Sequence, residues 1–195
     1  MDPQGARAFI LDKLRRELPA ARSYHSLEHT LDVYASVVDI AEKEGISGDG
    51  LTLLKIAALY HDAGFTEQDL DHEEAGCRIA RAKLPEYGFG AEQIELICEM
   101  IMATRIPQSP RNKLARILCD ADLDYLGRPD FIPIGTTLFK EMRHYGVLKS
   151  EREWNELQVR FLERHKYFTR TNKESREPRK QEHLLEVKAW LQANT

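Results

Sequence analysis

Cysteine is scarce in this 195-residue chain, and Cys77, Cys98 and Cys119 stand far apart with no CxxC pair among them. That spacing excludes a disulfide framework and a thiolate zinc clamp, and it reads as three reduced core thiols in a cytosolic protein. Long apolar runs are missing too. No stretch approaches the roughly 20 residues of a membrane span, and Met1 to Leu18 alternates charged with apolar residues, without the apolar core of a secretion signal. There is no basic excess: 28 Lys and Arg face 32 Asp and Glu, for a net charge of −4. A dedicated nucleic-acid surface is therefore not expected, although a local phosphate pocket is still allowed. Few segments offer period-two alternation, and internal repeats, low-complexity tracts and domain-splitting linkers are absent. What these absences leave is a soluble cytoplasmic protein, organised as one domain over residues 1–195.

Helical spacing is abundant instead, and it predicts an all-α fold. The segments read as Ala6 to Leu18, Ser23 to Glu44, Leu51 to His61, His72 to Leu84, Ala91 to Thr104, Arg111 to Leu126, Phe131 to Tyr145, Glu151 to Thr169 and Gln181 to Ala193. Ser109 and Pro110 suit a cap and first-turn proline for the Arg111 segment. Charged Arg170 to Lys180 reads as a solvated loop.

One dipeptide stands out. Leu51 to Tyr60 is apolar on nearly every side, and it ends in His61-Asp62. Two ionisable groups at the end of a buried helix are costly unless something pairs with them. A hydrogen-bonded core pair would suffice; a metal ion would demand further ligands. Candidates exist upstream in Tyr24-His25-Ser26-Leu27-Glu28-His29-Thr30 and downstream in Cys119-Asp120-Ala121-Asp122-Leu123-Asp124-Tyr125.

This order of His, His-Asp and a distant Asp resembles the HD-domain metal-dependent phosphohydrolase superfamily, over roughly Ser23 to Leu126. The resemblance implies an HD-type helical bundle, with the motif core at about 23–126 and the C-terminal helices of 131–193 packed on it. It also implies one or two divalent metals and hydrolysis of a small phosphate ester, a nucleotide among the options, by metal-activated water. Two other readings share the ligands: a weakly active metal- or nucleotide-binding regulatory module, and a di-iron oxygenase.

Periodicity at 100° per residue chooses among the candidates. His29 borders the apolar face of Val33, Val37 and Ile40, whereas His25 falls in the solvated sector of Glu28, Asp32, Asp39 and Lys43. Asp122 sits beside the stripe of Leu114, Ile117, Leu118, Ala121 and Tyr125, and Asp120 and Asp124 lie off it as helix-orienting or solvated carboxylates, Asp120 in reserve. The family motif selects the same residues, so the expected ligands are His29, His61, Asp62 and Asp122. Such mixed nitrogen and oxygen donors suit manganese, iron, nickel, cobalt or magnesium, and four protein ligands would leave a tetrahedral structural zinc no open position.

A single metal is expected, because His72 is the one extra histidine after the dipeptide and none follows near Ile101 to Arg105. Several HD phosphohydrolases carry a carboxylate about one turn beyond the dipeptide. This chain has Ala63-Gly64-Phe65 there, so the acid/base role passes to His72 or Glu73. A bland alternative makes that stretch a helix start, capped by Asp71 with Glu73 and Glu74 on its dipole. His25, Arg105 and Tyr125 are the expected substrate contacts, and His144, His165 and His183 are read as surface residues.

Overall fold

The computed structural model describes residues 1–194; Thr195, the end of the expected domain, lies outside the described residues. Ten α-helices carry the fold, and no strand occurs among the described residues. They are α1 (Pro3–Glu17), α2 (Leu27–Lys43), α3 (Gly48–Tyr60), α4 (His72–Lys83), α5 (Ala91–Ala103), α6 (Lys113–Asp122), α7 (Phe131–His144), α8 (Glu151–Arg164), α9 (Arg170–Ser175) and α10 (Glu177–Ala193). Short 3-10 turns follow α3 at Ala63–Thr66, α4 at Leu84–Tyr87 and α6 at Asp124–Gly127.

Helix starts follow capping chemistry. The Asp2 carboxylate accepts from Gly5 N–H ahead of α1, the Ser26 hydroxyl from His29 N–H, and the Asn112 side chain from Ala115 N–H. Two expected starts therefore move. Asn112 replaces Ser109 as the cap of α6, and α2 begins at Leu27, which leaves His25 in the preceding loop. Helix α6 also stops at Asp122, short of the expected Leu126.

Helix α3 is the centre of the first core, with Leu54 and Ile56 through Tyr60 buried, and it packs against α1, α2, α5 and α6. Its apolar character on every side is what a helix covered all round requires. None of the described helices is long and apolar enough to cross a membrane.

The charged Arg170 to Lys180 segment is not a loop. It forms α9, capped by Thr169, and the first turn of α10. Tertiary and local partners hold its charges: Arg176 pairs with Asp124, and fully buried Lys180 donates to the His165 carbonyl at 2.7 Å and pairs with Glu177, one turn earlier in α10, at 2.9 Å. His183, expected on the surface, is buried against Phe131 with ring centroids 4.4 Å apart, and its Nδ1 donates to the Leu126 carbonyl. His165 is also partly covered, and burial with nearby Lys180 pushes its imidazole down to about 4. His144 is exposed, as expected.

Candidate active site

Three helix ends meet beside α3. Helix α2 brings His29 in its first turn, α3 ends at Tyr60 and hands the chain to His61 and Asp62, and α6 finishes on Asp122. His29, His61 and Asp122 each offer one donor atom, all within 4.8 Å of one another. His29 Nε2 lies 3.4 Å from His61 Nε2 and 3.2 Å from Asp122 Oδ1. Asp62 Oδ2 lies 3.2 Å from His61 Nε2 and 3.5 Å from His29 Nε2. The structure thus brings His29 and Asp122, the residues chosen by periodicity, to the His61-Asp62 dipeptide.

These spacings match a metal's needs. Donors bound at about 2.1 Å and held 90° to 109° apart stand roughly 3.0 to 3.4 Å from each other. Two further observations bear on the fit. Asp62 Oδ2 is buried without a hydrogen-bond partner, and an orphan carboxylate oxygen is costly in a folded interior. His61 Nδ1 lies 2.8 Å from the Ala58 carbonyl, which can only accept, so Nδ1 keeps a proton, and a ring that gives up its second proton to a cation turns an Nε2 lone pair into the cluster. The residues present fit a divalent cation.

Electrostatics agree. Burial alone would push His61 down, yet Asp62 and Asp122 hold its imidazolium well above 6.5. Burial would raise both carboxyls. Asp62 is instead held well below 3.8 by the His61 charge, and Asp122 falls to about 2 beside His29 and His61. The carboxylates are charged and the imidazole takes a proton when no cation competes for its place.

Asp120 and Asp124 are not solvated; both are fully buried and face away from the cluster. Asp120 accepts from Phe168 N–H, Thr169 N–H and the Thr169 hydroxyl, while Asp124 accepts from Asn172 and Arg176. Their role is to clamp the C-terminal segment.

His72 opens α4, with Nε2 at 3.5 Å from both Asp62 Oδ1 and Glu73 Oε1 and its ring stacked on Phe65 at 3.9 Å. Gly64 explains how it gets there. A Cβ on Gly64 would stand 1.8 Å from the His72 carbonyl oxygen, so only glycine lets the turn after Asp62 seat α4 this closely.

Arg105 turns toward acids, at 3.1 Å from Asp71, 3.4 Å from buried Glu73 and 3.4 Å from Glu74. It holds Glu73 in place and does not line the cavity in front of the cluster. That cavity, of ≈350 Å³, is lined at its polar end by His25, Asp62, His72, Glu73 and Asp122. Tyr125 lines it too, 5.8 Å from the Tyr24 ring, and burial pushes both phenols up, so they stay protonated.

His25 is anchored by a residue that sequence reasoning missed. Glu141 of α7, buried and held at about 2 despite its desolvation, lies 2.5 Å from His25 Nδ1 and accepts from Tyr24 N–H, His25 N–H and Arg22. Nothing in the α7 sequence separates Glu141 from an ordinary exposed helix glutamate; the signal is tertiary.

Comparison with known proteins agrees with this geometry. No curated protein matches the chain. The crystal structure of a predicted HD superfamily hydrolase from an uncultured Thermotogales bacterium is similar in fold, with a TM-score of 0.62 and 23% identity over 96% of this chain and 92% of that one. The family model for the HD domain matches residues 26–124, which span His29, His61, Asp62 and Asp122. The chain belongs to the HD-domain family.

Proposed function

We propose that this protein is a metal-dependent phosphohydrolase acting on a small phosphate ester, with His29, His61, Asp62 and Asp122 holding one divalent ion. The observation that carries the reading is the orphan Asp62 Oδ2, aimed between two imidazoles at the edge of an open cavity. When bound, a divalent ion supplies a lowered pKa for water and neutralises charge on a phosphoryl oxygen.

The chain's own groups do the remainder. The Ala58 carbonyl fixes the His61 tautomer, and the two aspartates supply negative charge that a cation offsets. His72 Nε2, between Asp62 and Glu73, is placed to hand a proton to the departing ester oxygen. Glu73, gripped by Arg105, orients that imidazole. With Nδ1 tied to Glu141, His25 keeps Nε2 available for a phosphoryl oxygen.

A panel of phosphomonoesters and phosphodiesters, assayed with manganese, iron, nickel, cobalt and magnesium in turn, tests the reading. Phosphate release with at least one metal, lost on chelation and restored by that metal, is the expected result. Tight metal binding with no turnover on any ester would overturn it in favour of a regulatory module.

A further inference from the structure

We propose that the cavity selects a phosphoryl compound with an uncharged, apolar body, an aryl or medium-length alkyl phosphate, over a nucleotide. The inference rests on the phosphohydrolase reading for where the phosphoryl group sits.

The cavity is divided by chemistry. Its acids and histidines gather at one end, while Leu126, Phe131, Met142, Trp154, Phe161 and Leu162 form much of the remaining wall. These side chains come from the turn after α6 and from α7 and α8, outside the motif that names the family. Polar groups along this wall are few and largely engaged. Gln158 donates its amide to Asn155 at 3.1 Å, and the Thr104 hydroxyl donates to the Ile101 carbonyl at 2.8 Å. A nucleoside would bring sugar hydroxyls and base edges here, and hydrogen-bonding groups left unpaired against an apolar wall cost binding.

Charge points the same way. Among the described residues no lysine or arginine lines the cavity. Arg105 is held by Asp71, Glu73 and Glu74, and Arg22 by Asp69 and Glu141. Arg160, Arg164 and Lys166 line a separate cavity of ≈490 Å³, behind a shared wall of Ile106, Leu157 and Phe161. A di- or triphosphate chain would therefore meet Asp62, Glu73 and Asp122 without a lysine or arginine to offset it. One phosphoryl group, placed at the metal, is the charge this chamber accommodates.

Calorimetric binding of n-alkyl phosphonates, two to eight carbons long, to the manganese-loaded full chain tests the inference without requiring turnover. Affinity should rise about fourfold per added methylene until the chamber is filled, the step expected for burying one CH₂. The heat capacity of binding should grow more negative along the series. Octyl phosphonate should also bind more tightly than adenosine or uridine 5′-monophosphate. Leu138→Trp, which fills the chamber from half-buried α7, should weaken octyl phosphonate while metal content stays at the wild-type level. A flat series, no binding, or tighter binding of the nucleotides would overturn the inference. A rising phosphonate series with no ester hydrolysed would sink the hydrolase reading and leave the apolar chamber standing; hydrolysis of short esters with a flat series would do the reverse.

Discussion

The two halves of this molecule are built from different materials. Helices α1 to α6 enclose a core of Ala, Val, Ile and Leu, with the three cysteines buried in it, and they carry the ionisable cluster at their ends. The second core, joined by Tyr24, Leu123, Tyr125, Leu126, Phe131, Leu162, Leu184 and Val187, is smaller and richer in aromatics. It includes no metal-donor residue and supplies much of the apolar wall opposite them. One short segment serves both halves. Asp120 and Asp124 tie the C-terminal helices down, while Asp122 between them turns to the histidines. The chemistry is thus specified by a few residue types at fixed spacing, whereas the substrate wall is specified by shape, for which no short motif exists.

The largest break in that comparison should come from Asp62→Ala. Losing one carboxylate removes both a bond and a charge from the ion. Changes to groups that merely support a ligand cost 10- to 100-fold in affinity, so loss of a ligand should exceed about 100-fold and abolish turnover. Elemental analysis after dialysis, beside the ester panel, reads both effects. Full metal occupancy in the variant would remove Asp62 from the ligand set.

Next in size is Gly64→Ala. Its Cβ would meet the His72 carbonyl at 1.8 Å and Ala75 Cβ at 2.8 Å, both on the packed face of α4. Backbone and helix must move apart, at a cost of about 3 kcal/mol or more. Urea unfolding should show the loss, and catalytic rate should fall further than metal content, because His72 moves more than the ligands do. A variant as stable as wild type would mean that α4 has slack where the structure shows contact.

These residues also show what was legible in the chain beforehand. His61 and Asp62 could be chosen because they end a helix apolar on nearly every side, and His29 and Asp122 because each lies beside a clear apolar stripe, so spacing orients the side chain. Beyond a helix end the periodicity carries no information. His25 precedes the Ser26 cap and Tyr125 follows the end of α6, so a 100° step had no meaning for either. The Arg170 to Lys180 helices were hidden for another reason: Arg176 pairs with Asp124, 52 residues away, and Lys180 is buried on the His165 carbonyl, a partner that side-chain pattern does not reveal. Glu141 and His183 were missed on the same grounds, since burial of a polar side chain is decided by the element packed over it.

The aspartate pair that joins the halves offers a sharper contrast. Asp120→Asn should cost about 2 to 3 kcal/mol, the scale of hydrogen bonds to a charged acceptor, and should leave metal binding intact. Asp122→Asn should instead lose metal, together with the stabilisation that contact with His29 and His61 gives this carboxylate in the metal-free fold. Unfolding curves and metal titrations on both variants separate the two roles. If Asp120→Asn loses metal and Asp122→Asn does not, the assignment of faces on α6 is inverted.

The smallest effect concerns the seam between the halves on the α7 side, and it depends on pH. Glu141 has a folded-state pKa of about 2, against an ordinary glutamate value of 4.5, because His25, Arg22 and two backbone amides outweigh its burial. A depressed acid contributes stability that is complete above its unfolded pKa and is lost as pH falls from about 4.5 toward 2, where the folded state must also take up the proton. The size implied is about 2 to 3 kcal/mol for the metal-free protein. Glu141→Gln should therefore be less stable than wild type at pH 7, and the gap should close progressively between pH 5 and pH 3. Measuring both proteins by urea unfolding across that range isolates Glu141 from Asp62 and Asp122, whose own acid limbs are common to the two. A gap independent of pH would show that the glutamate holds the Tyr24 and His25 amides by shape and hydrogen bonding, with its charge contributing nothing to the seam.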